Sequence, residues 1–297
     1  MPVPELAAEL ALEVGASLAE GPLWDERDGS LLFVDIDAGA VHRYAPATGL
    51  IESFATGSTV GAVGLRSDGG LVLALAESFA RSDRAGEAVE QVPGFSVDGR
   101  AVRFNDGEVD PWGRFVAGTM DREKTAPLGS LYRLAPDGSV ELLVSGVTIS
   151  NGLAWSADRR LLYYVDTPTG SIDVFDVDPD TGAMSGRRSA VDVAPEHGMP
   201  DGIALDVEGC LWVACYGGGR VCRFTPSGRL DAIVRLPASY VTSVAFGGAR
   251  LEDLYVTTAS CDLDERSRAA EPHAGDLFVA TPGIAGYAPS RFGDAGP

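Results

Sequence analysis

The chain has 297 residues, of which 45% are hydrophobic and 22% are charged, so it can bury a large core and is unlike disordered proteins. Its 43 acidic residues outnumber 23 Lys and Arg, which gives a formal net charge of -20. This charge repels phosphate backbones and anionic lipids, so we expect neither nucleic acid nor a membrane as partner.

The N-terminal segment MPVPELAAELALEV has no basic region, and no stretch of the chain approaches about 18 consecutive apolar residues. We therefore predict no signal peptide, no transmembrane helix and a cytoplasmic protein. Within this segment, Ala7 to Leu18 suits a strand that pairs with Gly275 to Ala280, although ELAAELALEV also has helical composition.

A sequence frame recurs along the chain, and the stretch that begins at Asp201 defines it. Glycine follows at the next position, an acid five positions on, a second glycine at the eighth, and apolar residues at the tenth and eleventh. The same frame, with small variations, begins at positions 20, 60, 105, 151, 201 and 242. Six units spaced by about 40 to 50 residues indicate a repeat architecture.

Between these frames lie further strand-like runs that end in turn signals, such as GSLYRLAPDG and RVCRFTPSG. Each unit then contains about four short strands, which is the content of one propeller blade. We therefore predict an all-β fold, a six-bladed β-propeller with four-stranded blades that forms a single domain over residues 1–297. The cysteines lack Cys-x-x-Cys spacing, and we expect free, mostly buried thiols at Cys210, Cys215, Cys222 and Cys261.

Equivalent positions of propeller blades surround the central channel, so the residues at the frame origins should lie close together. Four of them carry oxygen: Glu20, Asn105, Asn151 and Asp201. Two carboxylates and two amides suit a divalent cation, because their oxygens are hard donors and their charge balances it. Asn-Gly and Asp-Gly are also ordinary turn formers, which is the alternative for each pair taken alone.

Four segments in this order resemble the senescence marker protein/gluconolactonase family, which includes regucalcin and bacterial sugar lactonases. They are EGPLWDERDGSLLFVDI, RFNDGEVDPWGRFVAGTM, ISNGLAWSADRRLLYYVDT and PDGIALDVEGCLWVACYGGGRV. The resemblance implies a six-bladed propeller with one divalent metal at the channel mouth. It places the family's metal ligands on Glu20, Asn151 and Asp201, and its candidate general base on Asp201.

The resemblance also implies substrate contacts for Arg103, Asn105 and Glu123. Arg103 has a second interpretation, as an ion-pair partner of Asp106 or Glu108. The related pattern usually has Asn at the position of Gly217, which puts one polar contact near Tyr216 in doubt. His197 lies near Asp201 in sequence, and we interpret it as a surface loop residue rather than a site residue.

These residues predict a metal-dependent lactonase that acts on a sugar lactone, as a monomer or weak homodimer. Calcium is the first expectation for the metal, while Zn²⁺, Mn²⁺, Mg²⁺ and Fe²⁺ accept the same oxygen donors. Two other functions stay open: a non-catalytic, regucalcin-like calcium-binding protein and a metal-dependent phosphotriesterase. A serine hydrolase is not expected, because the sequence has no Gly-x-Ser-x-Gly motif.

Overall fold

The computed structural model describes residues 3–294, which form six sheets, each with four antiparallel strands; one of the sheets gains a fifth, parallel strand at its edge. The innermost strands contact one another in a closed cycle, so the sheets are the blades of a six-bladed β-propeller. The predicted fold class is confirmed.

The first three blades follow one another along the chain, each running from the channel outward in sequence order. Blade 1 consists of β3 (Ala19–Asp25), β4 (Ser30–Asp35), β5 (Ala40–Ala45) and β6 (Leu50–Ala55). Blade 2 consists of β7 (Val60–Leu65), β8 (Leu71–Leu75), β9 (Phe79–Ser82) and β10 (Val89–Gln91). Blade 3 consists of β11 (Val102–Val109), β12 (Phe115–Asp121), β13 (Gly129–Leu134) and β14 (Val140–Val147).

The last three blades include two strands from the N-terminus, β1 (Glu5–Ala7) and β2 (Glu9–Leu12). Blade 4 consists of β15 (Ser150–Trp155), β16 (Leu161–Asp166), β17 (Ser171–Val177) and β18 (Met184–Asp192). Blade 5 consists of β19 (Met199–Leu205), β20 (Leu211–Tyr216), β21 (Arg220–Phe224) and β22 (Leu230–Arg235), and blade 6 of β23 (Val241–Gly247), β24 (Asp253–Thr258) and β25 (Leu277–Ala280). Short helices are α1 (Glu265–Ala270) and the 3₁₀ turns Thr167–Thr169 and Pro195–His197.

The N-terminal strands join blades 5 and 6. β2 pairs antiparallel with β25 as the outermost strand of blade 6, and β1 pairs parallel with β22 of blade 5. The helical composition of this segment is overridden because the unpaired edges of both blades offer backbone partners. The first strands of the chain therefore connect to its last strand and close the ring.

The core lies between neighbouring blades rather than in one central mass. Each adjacent pair of blades shares a cluster of buried apolar side chains, as blades 1 and 2 do through Leu32, Val34, Leu65 and Leu73. The second strands read as near-continuous apolar runs because both of their faces are covered. Three of the four cysteines are buried and all four are free, as predicted.

The acids at the fifth frame position hold turns at the end of the blades opposite the frame origins. Asp206 Oδ1 accepts the backbone N–H groups of Glu208 and Cys210, each at 3.0 Å. Its Oδ2 accepts the Trp212 indole N–H at 2.9 Å and a guanidinium N–H of Arg223 at 2.8 Å. This carboxylate is thus part of the scaffold.

The C-terminal segment 281–294 crosses this opposite face and inserts Phe292 between blades 2 and 3. Phe292 is buried, and its N–H donates to Leu65 O at 2.8 Å while its carbonyl accepts from Ser67 N–H at 2.9 Å. Arg291 beside it pairs with the fully buried Asp25 at 2.9 Å. The segment therefore fastens blades that are distant from it in sequence.

Phe292→Ala is expected to lower the free energy of unfolding by about 3–5 kcal/mol, because it removes a buried aromatic ring and leaves a cavity. Urea denaturation followed by tryptophan fluorescence measures the loss. Tyr287→Ala is the matched control, since Tyr287 belongs to the same segment but is 43% exposed, and its effect should stay within about 0.5 kcal/mol. Equal stability of the two variants would contradict the fastening role.

Candidate metal and substrate site

The frame origins share a backbone feature that aims their side chains. In every blade the pairing between the innermost and second strands shifts register at the origin or, in blades 1 and 2, directly after it, which marks a β-bulge. A bulge leaves one residue outside the ladder and turns its side chain out of the alternating pattern. The repeat seen in the sequence therefore corresponds to a repeated distortion at one end of the channel.

Glycines beside the origins let the innermost strands come close. A Cβ on Gly61 would lie 2.8 Å from Asn105 N, and one on Gly152 would lie 2.6 Å from Asp201 O. Real Cβ atoms do not make contacts this short with backbone. Glycine at these two positions thus allows the polar origins of the next blade to converge on the axis.

Two of the origin side chains, those of Asn105 and Asn151, belong to a continuous hydrogen-bond chain of four polar side chains. Arg103 Nη1 donates to Asn105 Oδ1 at 2.8 Å, and Asn105 Nδ2 donates to Asn151 Oδ1 at 2.9 Å. Asn151 Nδ2 donates to Thr167 Oγ1 at 2.7 Å, whose hydroxyl donates to Pro200 O at 2.9 Å. The chain spans blades 3 to 5 and ends at the peptide that precedes Asp201. Both amide orientations are thereby fixed.

Glu20 and Asp201 are the two buried carboxylates of the site. Burial raises the pKa of Glu20 to about 8, with a further contribution from the charge of Asp106. Burial also raises the pKa of Asp201 well above its ordinary value, and the charges of Glu20 and Asp106 add to this. Asp201 Oδ1 is buried without a hydrogen-bond partner. A buried oxygen of this kind needs a proton or a cation.

The donor set fits a divalent cation by this chemistry. Glu20 and Asp201 supply negative charge, and Asn151 presents an oxygen whose orientation Thr167 and Asn105 fix. Within residues 3–294, no group of three or more His, Cys, Asp or Glu side chains is placed to hold a metal. Any ion here would therefore depend on the amides as well as on the two carboxylates.

The other sequence-predicted site residues lie at the same end of the channel or close to it. Arg103 is half-buried and donates to Phe104 O at 2.9 Å as well as to Asn105, rather than pairing with the carboxylates of Asp106 and Glu108. Glu123 is exposed on the loop 122–128 that follows β12. His197 lies outside this set, with its Nδ1 3.1 Å from Arg220 Nη1.

A cavity of about 440 Å³ runs along the axis toward the opposite face, and its lining includes Gly21 and Asp106, the chain neighbours of Glu20 and Asn105. Asp106 and Glu108 line it, and burial raises their pKa values to about 6 and about 8. Neither Glu20 nor Asp201 lines this cavity. The carboxylates predicted as ligands thus face the other end of the channel.

The sequence frame missed Thr167, because it compares only the innermost strands. Thr167 follows β16, the second strand of blade 4, and is buried. If the ends of the second strands had been compared between blades, the hydroxyl of Thr167, which follows Asp166, would have been noticed. The residue matters because it joins Asn151 to blade 5.

Thr167→Val is expected to weaken metal binding about tenfold, because it keeps the shape of the side chain but releases the Asn151 amide. Isothermal titration with Ca²⁺ measures the change. Thr169→Val is the matched control, since Thr169 belongs to the same 3₁₀ turn and is exposed. Unchanged affinity in Thr167→Val would show that the hydrogen-bond chain does not position a ligand.

Within residues 3–294, no helix has the length and apolar composition needed to cross a bilayer.

Comparison with known proteins identifies relatives across nearly the whole chain. Residues 18–260 match the model of the SMP-30/Gluconolactonase/LRE-like region. Regucalcin of Xenopus laevis is 41% identical over 282 residues, which cover 93% of this chain and 94% of the relative.

Two solved structures are similar over their whole length. A calcium-binding protein, regucalcin, from Agrobacterium tumefaciens superposes with a TM-score of 0.92 at 27% identity and covers 98% of this chain and 99% of its own. A luciferin-regenerating enzyme superposes with a TM-score of 0.88 at 32% identity, and the match covers 96% of this chain and 98% of that enzyme's chain.

Proposed function

The chain belongs to the SMP-30/gluconolactonase/LRE-like family, and from this premise we propose that it is a divalent-metal-dependent lactonase that hydrolyses a sugar lactone to its aldonic acid. The observation that carries the proposal is the unpartnered, buried Asp201 Oδ1 beside the second buried carboxylate, Glu20. Such a pair is costly in a metal-free protein and useful in a hydrolytic site.

We propose Glu20, Asn151 and Asp201 as the metal ligands and Ca²⁺ as the first candidate ion. The description of the Agrobacterium tumefaciens regucalcin as a calcium-binding protein supports this choice. Zn²⁺, Mn²⁺, Mg²⁺ and Fe²⁺ accept the same oxygens. When bound, the cation supplies a positive charge that polarises the lactone carbonyl and offsets charge on the tetrahedral oxygen.

The chain's own residues supply the proton transfers and the orientation. The Asp201 carboxylate accepts a proton from the attacking water as the new C–O bond forms at the carbonyl carbon. The ring C–O bond then breaks, and the proton passes to the leaving ring oxygen, which becomes a hydroxyl. Arg103, Asn105 and Glu123 hold the sugar hydroxyls, because guanidinium, amide and carboxylate groups match donors and acceptors of a polyol.

A second candidate function is non-catalytic calcium binding, which the names of the regucalcin relatives favour. It would use Glu20, Asn151 and Asp201 without turnover. The half-buried Arg103 favours the enzyme instead, since a protein that only binds calcium gains nothing from a cation next to its ligands.

One panel of assays tests these functions. Purified protein with Ca²⁺, Zn²⁺ or Mn²⁺ is incubated with pentono- and hexonolactones, and acid release is followed against the spontaneous rate. We expect catalysed hydrolysis of at least one lactone, and its loss when EDTA is added. Calcium binding with no lactone turnover would favour the second candidate, and hydrolysis of an organophosphate alone would indicate a phosphotriesterase.

We further propose that the protein acts in the cytoplasm on a small-molecule substrate, as a monomer or weak homodimer. Its free cysteines support a reducing compartment, and its charge of -20 opposes binding to nucleic acid or anionic lipid. Light scattering across a concentration series measures the oligomeric state, and a stable tetramer would contradict the proposal.

A further inference from the structure

An ion pair spans the channel mouth between opposite sides of the ring. Lys124 lies on the loop 122–128 of blade 3, and Asp262 lies on the segment after β24 of blade 6. Lys124 Nζ is 3.7 Å from Asp262 Oδ2. Blades 3 and 6 are diametrically opposed in a ring of six. A contact between their loops must therefore cross over the channel.

Asp262 is held in place by an aromatic pair. Tyr216 OH donates to Asp262 Oδ2 at 2.7 Å, and Tyr240 OH donates to Asp262 O at 3.4 Å. The two tyrosine rings contact each other with centroids 4.5 Å apart. The blade 6 side of the ion pair is thus anchored, whereas Lys124 reaches it from an exposed loop.

This contact lies on the face that contains the two buried carboxylates. The N–H groups of Ser260 and Cys261 donate to Ser17 O at 2.9 and 3.0 Å, three residues before Glu20. Tyr216, which holds Asp262, pairs across the blade 5 strands with Met199, two residues before Asp201. The ion pair is therefore close enough to the site for an elongated ligand to meet it.

On the basis of the lactonase function proposed above, we propose that Lys124 and Asp262 restrict the site to free monosaccharide lactones. A single lactone ring fits beneath the pair, while a lactone with a second sugar attached must displace it and keep it apart during the reaction. The pair is solvent-exposed, with side chains 53% and 40% accessible, so it opens readily for entry and release. Its discrimination should accordingly amount to about fivefold.

The test compares kcat/KM for glucono-δ-lactone and for lactobionolactone, the same ring carrying a galactosyl group. Lys124→Met and Asp262→Asn remove one charge each while they keep side-chain size, and Asp262→Asn retains an oxygen for Tyr216. We expect each to raise the disaccharide-to-monosaccharide ratio of kcat/KM about fivefold. Combining Lys124→Asp with Asp262→Lys should restore the wild-type ratio, because it rebuilds the pair in reverse. Arg122→Met is the matched control, a neighbouring exposed cation outside the pair.

The outcomes separate the two proposals. If wild type hydrolyses glucono-δ-lactone but the ratio is the same in every variant, or the charge swap does not restore it, the size restriction is wrong and the lactonase function stands. If wild type hydrolyses neither these nor any other lactone of the panel, the lactonase function fails and the restriction with it.

Discussion

Asp201→Ala is expected to lower kcat/KM for the best lactone by about 10³-fold, because one side chain serves as both metal ligand and proton acceptor. Stopped-flow or pH-indicator assays at saturating metal measure the loss, and calcium titration should show weakened binding. The fold should survive: the buried Asp201 Oδ1 has no hydrogen-bond partner to lose, and its removal relieves repulsion with Glu20.

Asp206→Ala is the matched control, a second buried aspartate of the same blade. It accepts four hydrogen bonds from the turn, from Trp212 and from Arg223, and its removal takes away one of the three carboxylates that pair with the buried Arg223 guanidinium. We expect it to cost about 3–5 kcal/mol of stability while the folded fraction keeps its activity. Wild-type turnover of Asp201→Ala on every good lactone would refute the mechanism.

The second large effect concerns metal removal and pH. Glu20 has an ordinary pKa of 4.5 and a folded pKa of about 8, so between these values the folded chain binds more protons than the unfolded one. The stability of metal-free protein should therefore fall as pH rises from about 4.5 to about 8. A divalent cation competes with the proton, so the stabilisation by Ca²⁺ should grow over the same range.

Melting temperatures in EDTA and in Ca²⁺ from pH 5 to pH 9 check this expectation. Glu20→Gln should flatten the metal-free slope and reduce the calcium effect. Glu108→Gln is the control: the pKa of Glu108 is also raised to about 8, so this variant should flatten part of the slope while calcium binding remains. A calcium effect that is absent, or equal at all pH values, would contradict the ligand assignment.

The six-bladed fold was predictable because every blade repeats the same local structural requirements. Its innermost strand needs a turn-forming glycine and an apolar run, and these recur in a register that the sequence displays. The parallel pairing of β1 with β22 was not predictable, since Glu5–Ala7 contains nothing that specifies a partner edge more than 220 residues away. This pairing is decided by the closure of the ring, which brings the N-terminus next to blade 5.

The candidate site was predictable in the same measure. Glu20, Asn105, Asn151 and Asp201 share a frame position, so one alignment of the blades collects them. Residues that reach the site from second strands and loops share no such position. Thr167 and Lys124 acquire their roles only when the ring brings different blades together. Arg103 had two interpretations in the sequence, and in the structure its guanidinium donates to Asn105 rather than pairing with a neighbouring carboxylate.

The bulge at each frame origin separates chemistry from architecture. The bulge lies at the origin or directly after it, so cross-strand pairing constrains the residue at the origin only weakly. Val60 and Thr242 occupy the origins of two blades, and Glu20 and Asp201 occupy those of two others. The six origins can therefore carry different side chains while the fold stays the same. Substitution of one origin at a time can change the charge of the candidate metal site and the number of ligating oxygens, while the blades keep their hydrogen bonds.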